Sequence, residues 1–260
     1  MKITEERIEE GGVKRTSFTL EVAGESVPGV IWAPEGASGP RPLILMGHGG
    51  SQHKKIANIA AAARHYAKAL GYATLAIDAP GHGDRVSREQ GAQFSAEIAK
   101  RIREGGGVGG EAGKDMAQRA QQAVPEWNAA LDAAQSFDFV GKSGPVGYWG
   151  VSMGSALGIP FVAQDKRITC AIFGLMGELP GNPGLMEAAG QIKIPLQFVI
   201  QWEDELVSRE SALALFNAFG AAQKTMHINP GGHVAIPEYE RDGWEIFWTR
   251  HLGPEAARAR

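Results

Sequence analysis

The run Leu43-Ile44-Leu45-Met46-Gly47 is apolar at every position and stops on a glycine. Five residues are too few for a buried helix, and a strand with one wet face would alternate polar and apolar side chains. A strand that is apolar on both faces belongs inside a sheet covered on both sides, the usual situation of parallel sheets. Strand-like runs recur at residues 72–77, 146–149, 168–173, 196–201 and 225–228. Between them the period turns helical, at 56–70 (closed by Gly71), 127–137, 155–163, 208–219 and 239–251. Strands alternating with helices imply right-handed crossovers, so the spacing predicts an α/β class with a mostly parallel sheet flanked by helices. Upstream, 16–22 and 27–33 read as an antiparallel hairpin around a turn at 23–26. No internal repeat is present, which removes solenoids and propellers.

Composition narrows the function classes. With 260 residues, 43% hydrophobic, the chain can bury a core without metal or disulfide staples and reads as one domain over 1–260. Its 26 basic and 29 acidic residues give a net charge of −3, which argues against nucleic acid or an anionic membrane as partner. A single cysteine, Cys170, excludes an intramolecular disulfide and suits a reducing compartment. The start MKITEERIEE lacks a secretory pattern, and no apolar run approaches the roughly 18 residues of a membrane span. A cytoplasmic location is therefore expected. Residues 84–123 are polar and glycine-rich and read as a short excursion over the carboxyl edge of the sheet.

The chemistry concentrates in Gly150-Val151-Ser152-Met153-Gly154, which follows one strand and opens a helix. A nucleophile at so sharp a turn has a strained backbone, and glycines two residues either side relieve the crowding. Serine needs a base to take its proton, and the base needs an acid to orient it. His233 in Asn229-Pro-Gly-Gly-His233 and Asp204 in Trp202-Glu-Asp-Glu205 lie after successive strands, in the order serine, acid, histidine. Asp204 is preferred over Glu203 and Glu205, which read as solvated loop carboxylates. Gly47-His48-Gly49-Gly50-Ser51 follows the third strand and can present backbone N–H groups to an oxyanion. Gly50 is the favoured first donor, with Gly49 as alternative, and Met153 supplies the second. His48 reads as a loop anchor.

Together HGG at 48–50, DAPGHGD at 78–84, GVSMG at 150–154, WEDELV at 202–207 and PGGH at 230–233 resemble an α/β-hydrolase. The resemblance covers nearly the whole chain and is nearest to the dienelactone-hydrolase-like and carboxylesterase branches. It implies an eight-stranded sheet with only the second strand antiparallel. Asp204-Glu-Leu-Val207 fits the acid-x-x-Val pattern that the family carries after its seventh strand. Dienelactone hydrolases proper use cysteine, and Ser152 in its place favours an ordinary ester.

Other signals are weaker. Gly105-Gly-Gly-Val-Gly-Gly110 matches G-x-G-x-x-G but follows a helix rather than a strand, so no dinucleotide cofactor is expected. The histidines and aspartates of the strand-end loops have no metal-ligand spacing, and no metal is expected. Gly49, His53, Trp202 and Leu206 are candidates for the substrate pocket, with His82, Trp149 and Met176 as further possibilities; core packing explains the large apolar ones equally well. The reading is a serine hydrolase of small or short-chain carboxylic esters. Amide, lactone and thioester hydrolysis, or a non-catalytic binding scaffold, are the competing readings, and the oligomeric state is left open.

Overall fold

The computed structural model describes residues 1–104 and 109–253. Nine strands, β1 (Lys2–Glu9), β2 (Val13–Val22), β3 (Glu25–Pro34), β4 (Leu43–Gly47), β5 (Ala73–Ile77), β6 (Val146–Val151), β7 (Ile168–Gly174), β8 (Leu196–Gln201) and β9 (Lys224–Asn229), form one sheet. Their order is β1-β2-β3-β5-β4-β6-β7-β8-β9. From β5 to β9 the neighbours are parallel, while β1, β2 and β3 are joined antiparallel to one another and β3 is antiparallel to β5. The helices are α1 (Ala57–His65, continued by a π-turn over Tyr66–Leu70), α2 (Arg88–Glu104), α3 (Gly110–Gln135), α4 (Met153–Gln164), α5 (Pro183–Gln191), α6 (Arg209–Ala218) and α7 (Glu240–Leu252).

The ninth strand corrects the expected eight. Every residue of β1 from Lys2 to Ile8 is exposed, so it has no apolar face to mark it in the sequence. Charge pairs across the edge accompany its backbone pairing, Arg15 with Glu5 and Glu9, and Lys14 with Glu6. The β2–β3 hairpin turns on Ala23 and Gly24, both at positive φ, as a two-residue loop between twisted strands requires.

Alternate residues of each central strand feed two separate cores. Leu43 and Leu45 pack toward α3, α4, α5 and α6, whereas Ile44 and Met46 pack toward α1 and α7. Helix α3 also departs from the expectation. It passes unbroken through Pro125, although proline removes a backbone donor and ordinarily marks a boundary. Burial of Ala120, Ala123, Trp127, Ala130, Leu131 and Ala134 holds the helix against the sheet. The segment 84–123 is therefore α2 plus the first half of a core helix. Gly105, Gly106 and Gly107 of its glycine cluster lie outside the described residues. Helix α5 was not legible, since only Leu185 and Ala189 of its nine residues are buried.

Because β4 to β9 are parallel, the loops that follow them all emerge at one edge of the sheet, where open α/β sheets place ligands. No helix among the described residues is long and apolar enough to cross a membrane.

Candidate active site

Ser152 directly follows β6 at φ 56°, ψ −124°, a backbone conformation that L-residues rarely adopt, and α4 starts at the next residue. The turn is tight enough that a Cβ on Gly150 would lie 2.5 Å from the Gly154 carbonyl oxygen, and one on Gly154 would overlap the Gly47 carbonyl. Two buried hydroxyls brace it. Ser155 Oγ accepts from Gly174 N–H at 2.9 Å and lies 2.7 Å from Gly150 O, and Tyr148 Oη–H donates to Gly154 O at 2.8 Å. Burial pushes the Tyr148 phenol far up, so it stays a donor. Neither brace was legible in the sequence, where both read as ordinary strand and helix residues.

The structure brings Ser152, His233 and Asp204 together. Ser152 Oγ lies 2.9 Å from His233 Nε2, and His233 Nδ1 lies 2.8 Å from Asp204 Oδ2. The other oxygen of Asp204 accepts from Leu206 N–H and Val207 N–H, both at 2.9 Å. A carboxylate only accepts, so Nδ1 carries the proton and Nε2 offers its lone pair to the serine hydroxyl. His233 and Asp204 side chains are 7% and 4% exposed, which strengthens these bonds relative to water.

Glu205 differs from the expectation of a solvated carboxylate, whereas Glu203 is exposed as expected but also holds a backbone donor. Glu203 accepts from Gly231 N–H and Glu205 from His233 N–H at 2.9 Å. Buried Gln201 adds donors to Pro230 O and Ala235 O. The acid loop after β8 thus fixes the histidine loop after β9 through three side chains besides the Asp204 bond.

Gly49 and Gly50 both border the site, and their N–H groups differ. Gly49 N–H donates to Gln52 Oε1 at 3.1 Å, whereas among the described residues Gly50 N–H has no acceptor. Met153 opens α4, so its N–H is one of the unpaired donors at a helix start. His48 anchors the loop as expected: Ala79 N–H donates to its Nε2 at 3.0 Å, and its Nδ1 is 2.8 Å from Gly49 O. Burial pushes this imidazole down to about 4, so it is neutral near pH 7.

Beside Ser152 lies a cavity of about 360 Å³. Gly49, Gly50, Met153, Met176, Leu206 and His233 border it, and Phe94, Ile98 and Met116 from α2 and α3 roof it. No Asp, Glu, Lys or Arg is among its described lining residues. Two pocket candidates are corrected. Trp202 faces away, 48% exposed beneath the Arg209 guanidinium, and His53 is exposed with its Nδ1 accepting from Lys55 N–H. Adjacent positions alternate sides here: Gln201 and Lys54 turn inward instead. Trp149 packs on Trp244 in the α7-side core, and His82 is buried against Phe94 without bordering the cavity. Among the described residues no group of three His, Cys, Asp or Glu could hold a metal ion.

No protein-family model matches the sequence, and no curated protein does. Solved structures do match. A cold-adapted esterase from an Arctic intertidal metagenomic library is 37% identical, over 97% of this chain and 100% of that one, with a TM-score of 0.78. An acetyl xylan esterase from Paenibacillus sp. R4 is 18% identical over 94% and 86% of the two chains (TM-score 0.69), a likeness of fold. A protein described as a dienelactone hydrolase from Klebsiella pneumoniae shares the fold at 13% identity over 91% and 97%, with a TM-score of 0.62. The sheet order, the strained serine turn and the esterase relative agree: the chain belongs to the α/β-hydrolase family, among its esterases.

Proposed function

We propose that this protein is a serine hydrolase that cleaves a small, uncharged carboxylic ester through an acyl-enzyme. The observation that carries the reading is the unbroken hydrogen-bond chain from Ser152 Oγ through His233 to Asp204. As Ser152 Oγ bonds to the acyl carbon, its proton passes to His233 Nε2, and Asp204 stabilises the imidazolium that results. The carbonyl oxygen takes the negative charge and is met by Gly50 and Met153 N–H. Collapse of the tetrahedral species breaks the ester C–O bond, and the alcohol leaves with the proton from Nε2. Water then repeats the sequence on the acyl-serine and releases the acid. Support for an uncharged substrate comes from the cavity, whose described lining residues offer no Asp, Glu, Lys or Arg as countercharge to an ionised group. The cold-adapted esterase relative supports ester over amide bonds.

A fluorophosphonate probe followed by intact mass tests the reading. One adduct is expected on wild type and none on Ser152→Ala, with hydrolysis of p-nitrophenyl butyrate lost in the same variant. An unlabelled, correctly folded wild type, or a variant that keeps its turnover, overturns it. Matched ester and amide substrates then rank the leaving groups.

A further inference from the structure

The segment Asp78-Ala-Pro-Gly-His-Gly-Asp84 has no role in the chemistry above, yet a buried ionic cluster is built on it. Asp78 is wholly buried. Lys54 Nζ contacts Asp78 Oδ2 and lies 2.6 Å from Asp84 Oδ2, with only 4% of its side chain exposed. Lys54 N–H donates to Asp78 Oδ1 and Asp84 N–H to Asp78 Oδ2, each at 2.9 Å. Asp78 therefore collects three donors, two of them from Lys54. Gly83, at φ +59°, lets the chain close round this carboxylate, which a Cβ there would strike. Taking an ammonium out of water is costly, and good geometry alone offsets it.

What the cluster holds is the loop between β4 and α1. His48 ties the start of that loop to Ala79, and Lys54 ties its end to Asp78, so both anchors sit on consecutive residues after β5. Gly50 lies between them. Ser51, beside it, is at φ 56° without being glycine, so the loop conformation is one that its own residues do not favour. An oxyanion donor must be placed to within a few tenths of an ångström before charge develops.

We propose that Lys54 is a positioning residue: with Asp78 and Asp84 it fixes the β4–α1 loop so that Gly50 N–H faces the developing oxyanion. Lys54 touches no reacting atom. This role rests on the serine-hydrolase reading. Three variants test it, with kcat and KM on p-nitrophenyl butyrate, thermal midpoint, and amide hydrogen exchange of residues 48–56. Lys54→Met is expected to lower kcat by about 10–100-fold, short of the roughly 100–1,000-fold of a donor removed outright because Gly50 N–H is displaced rather than lost, with KM within about twofold. Asp84→Asn, at an exposed carboxylate, lowers kcat by a smaller factor and keeps its thermal midpoint. If Lys54→Met does not fold, Lys54→Met/Asp78→Asn removes both buried charges and takes its place. Exchange at 48–51 rises in every variant. Unchanged kcat in folded variants, unchanged exchange, or a parallel fall of kcat and thermal midpoint with a rise in KM overturns the role. An active wild type with unaffected variants sinks this role alone; a wild type without Ser152-dependent turnover sinks the hydrolase reading and the role with it.

Discussion

At Ser152 the backbone pays for placement of one hydroxyl. The residue sits in a disfavoured conformation, and Gly150, Gly154, Ser155 and Tyr148 surround it without slack. Gly154→Ala drives the added methyl into the Gly47 backbone carbonyl, which no side-chain rotation relieves. It is expected to cost about 1–3 kcal/mol or more, read from urea midpoints, and to abolish ester turnover. His48 makes a pH prediction. Burial holds its folded pKa at about 4 against 6.5, so below pH 6.5 the unfolded chain takes up the proton first. Stability is then fully present above about 6.5 and falls with pH toward 4, by up to about 1.4 kcal/mol per unit from this group. His82, also depressed by burial, adds the same sign. Urea titrations between pH 7 and 4.5 are expected to show a shallower slope in His48→Asn than in wild type; equal slopes refute the assignment. The elbow was legible because glycines, strand and helix sit within a few residues of it. Lys54 and Glu205 were not, since whether a charged loop residue meets water or a distant backbone depends on a loop far off in sequence. The misplacement of Trp202 and His53 has the same root: nearness along the chain carries no direction.

Among elements, α2 and α4 are opposites. Helix α4 buries nine of its residues, Met153 to Ile159 together with Phe161 and Val162. Helix α2 buries none of its described side chains, and meets the body chiefly where Phe94, Ile98 and neighbours roof the cavity. Phe94→Ala is expected to leave the thermal midpoint within a few degrees while raising kcat/KM for hexanoyl relative to acetyl p-nitrophenyl esters. An unchanged ratio shows that α2 does not bound the acyl site. The all-apolar strands and amphipathic helices of the sheet were readable from period alone. β1, stitched by charges, and α3, carried through Pro125 by its packing, were not, because tertiary contacts outweigh local preference at both.

Over the whole molecule, one sheet separates two cores whose side chains alternate along the same strands. Losing either layer bares one face of the strands that the other layer still covers. The six tryptophans are divided unevenly: Trp32, Trp149, Trp244 and Trp248 lie in the α7-side core, Trp127 in the other, and Trp202 at the surface. Fluorescence therefore reports mainly one face and far-UV circular dichroism both. Their urea transitions are expected to coincide; an earlier fluorescence transition means that the α1–α7 layer opens by itself. The division of labour between α2 and the rest has a consequence over generations. Most mutations are tolerated only while a protein stays above its stability threshold, and α2 walls the cavity beside Ser152 while burying none of its described side chains. A lineage can therefore retune its diet by drifting along this one helix, while the serine turn beneath it is inherited nearly unaltered.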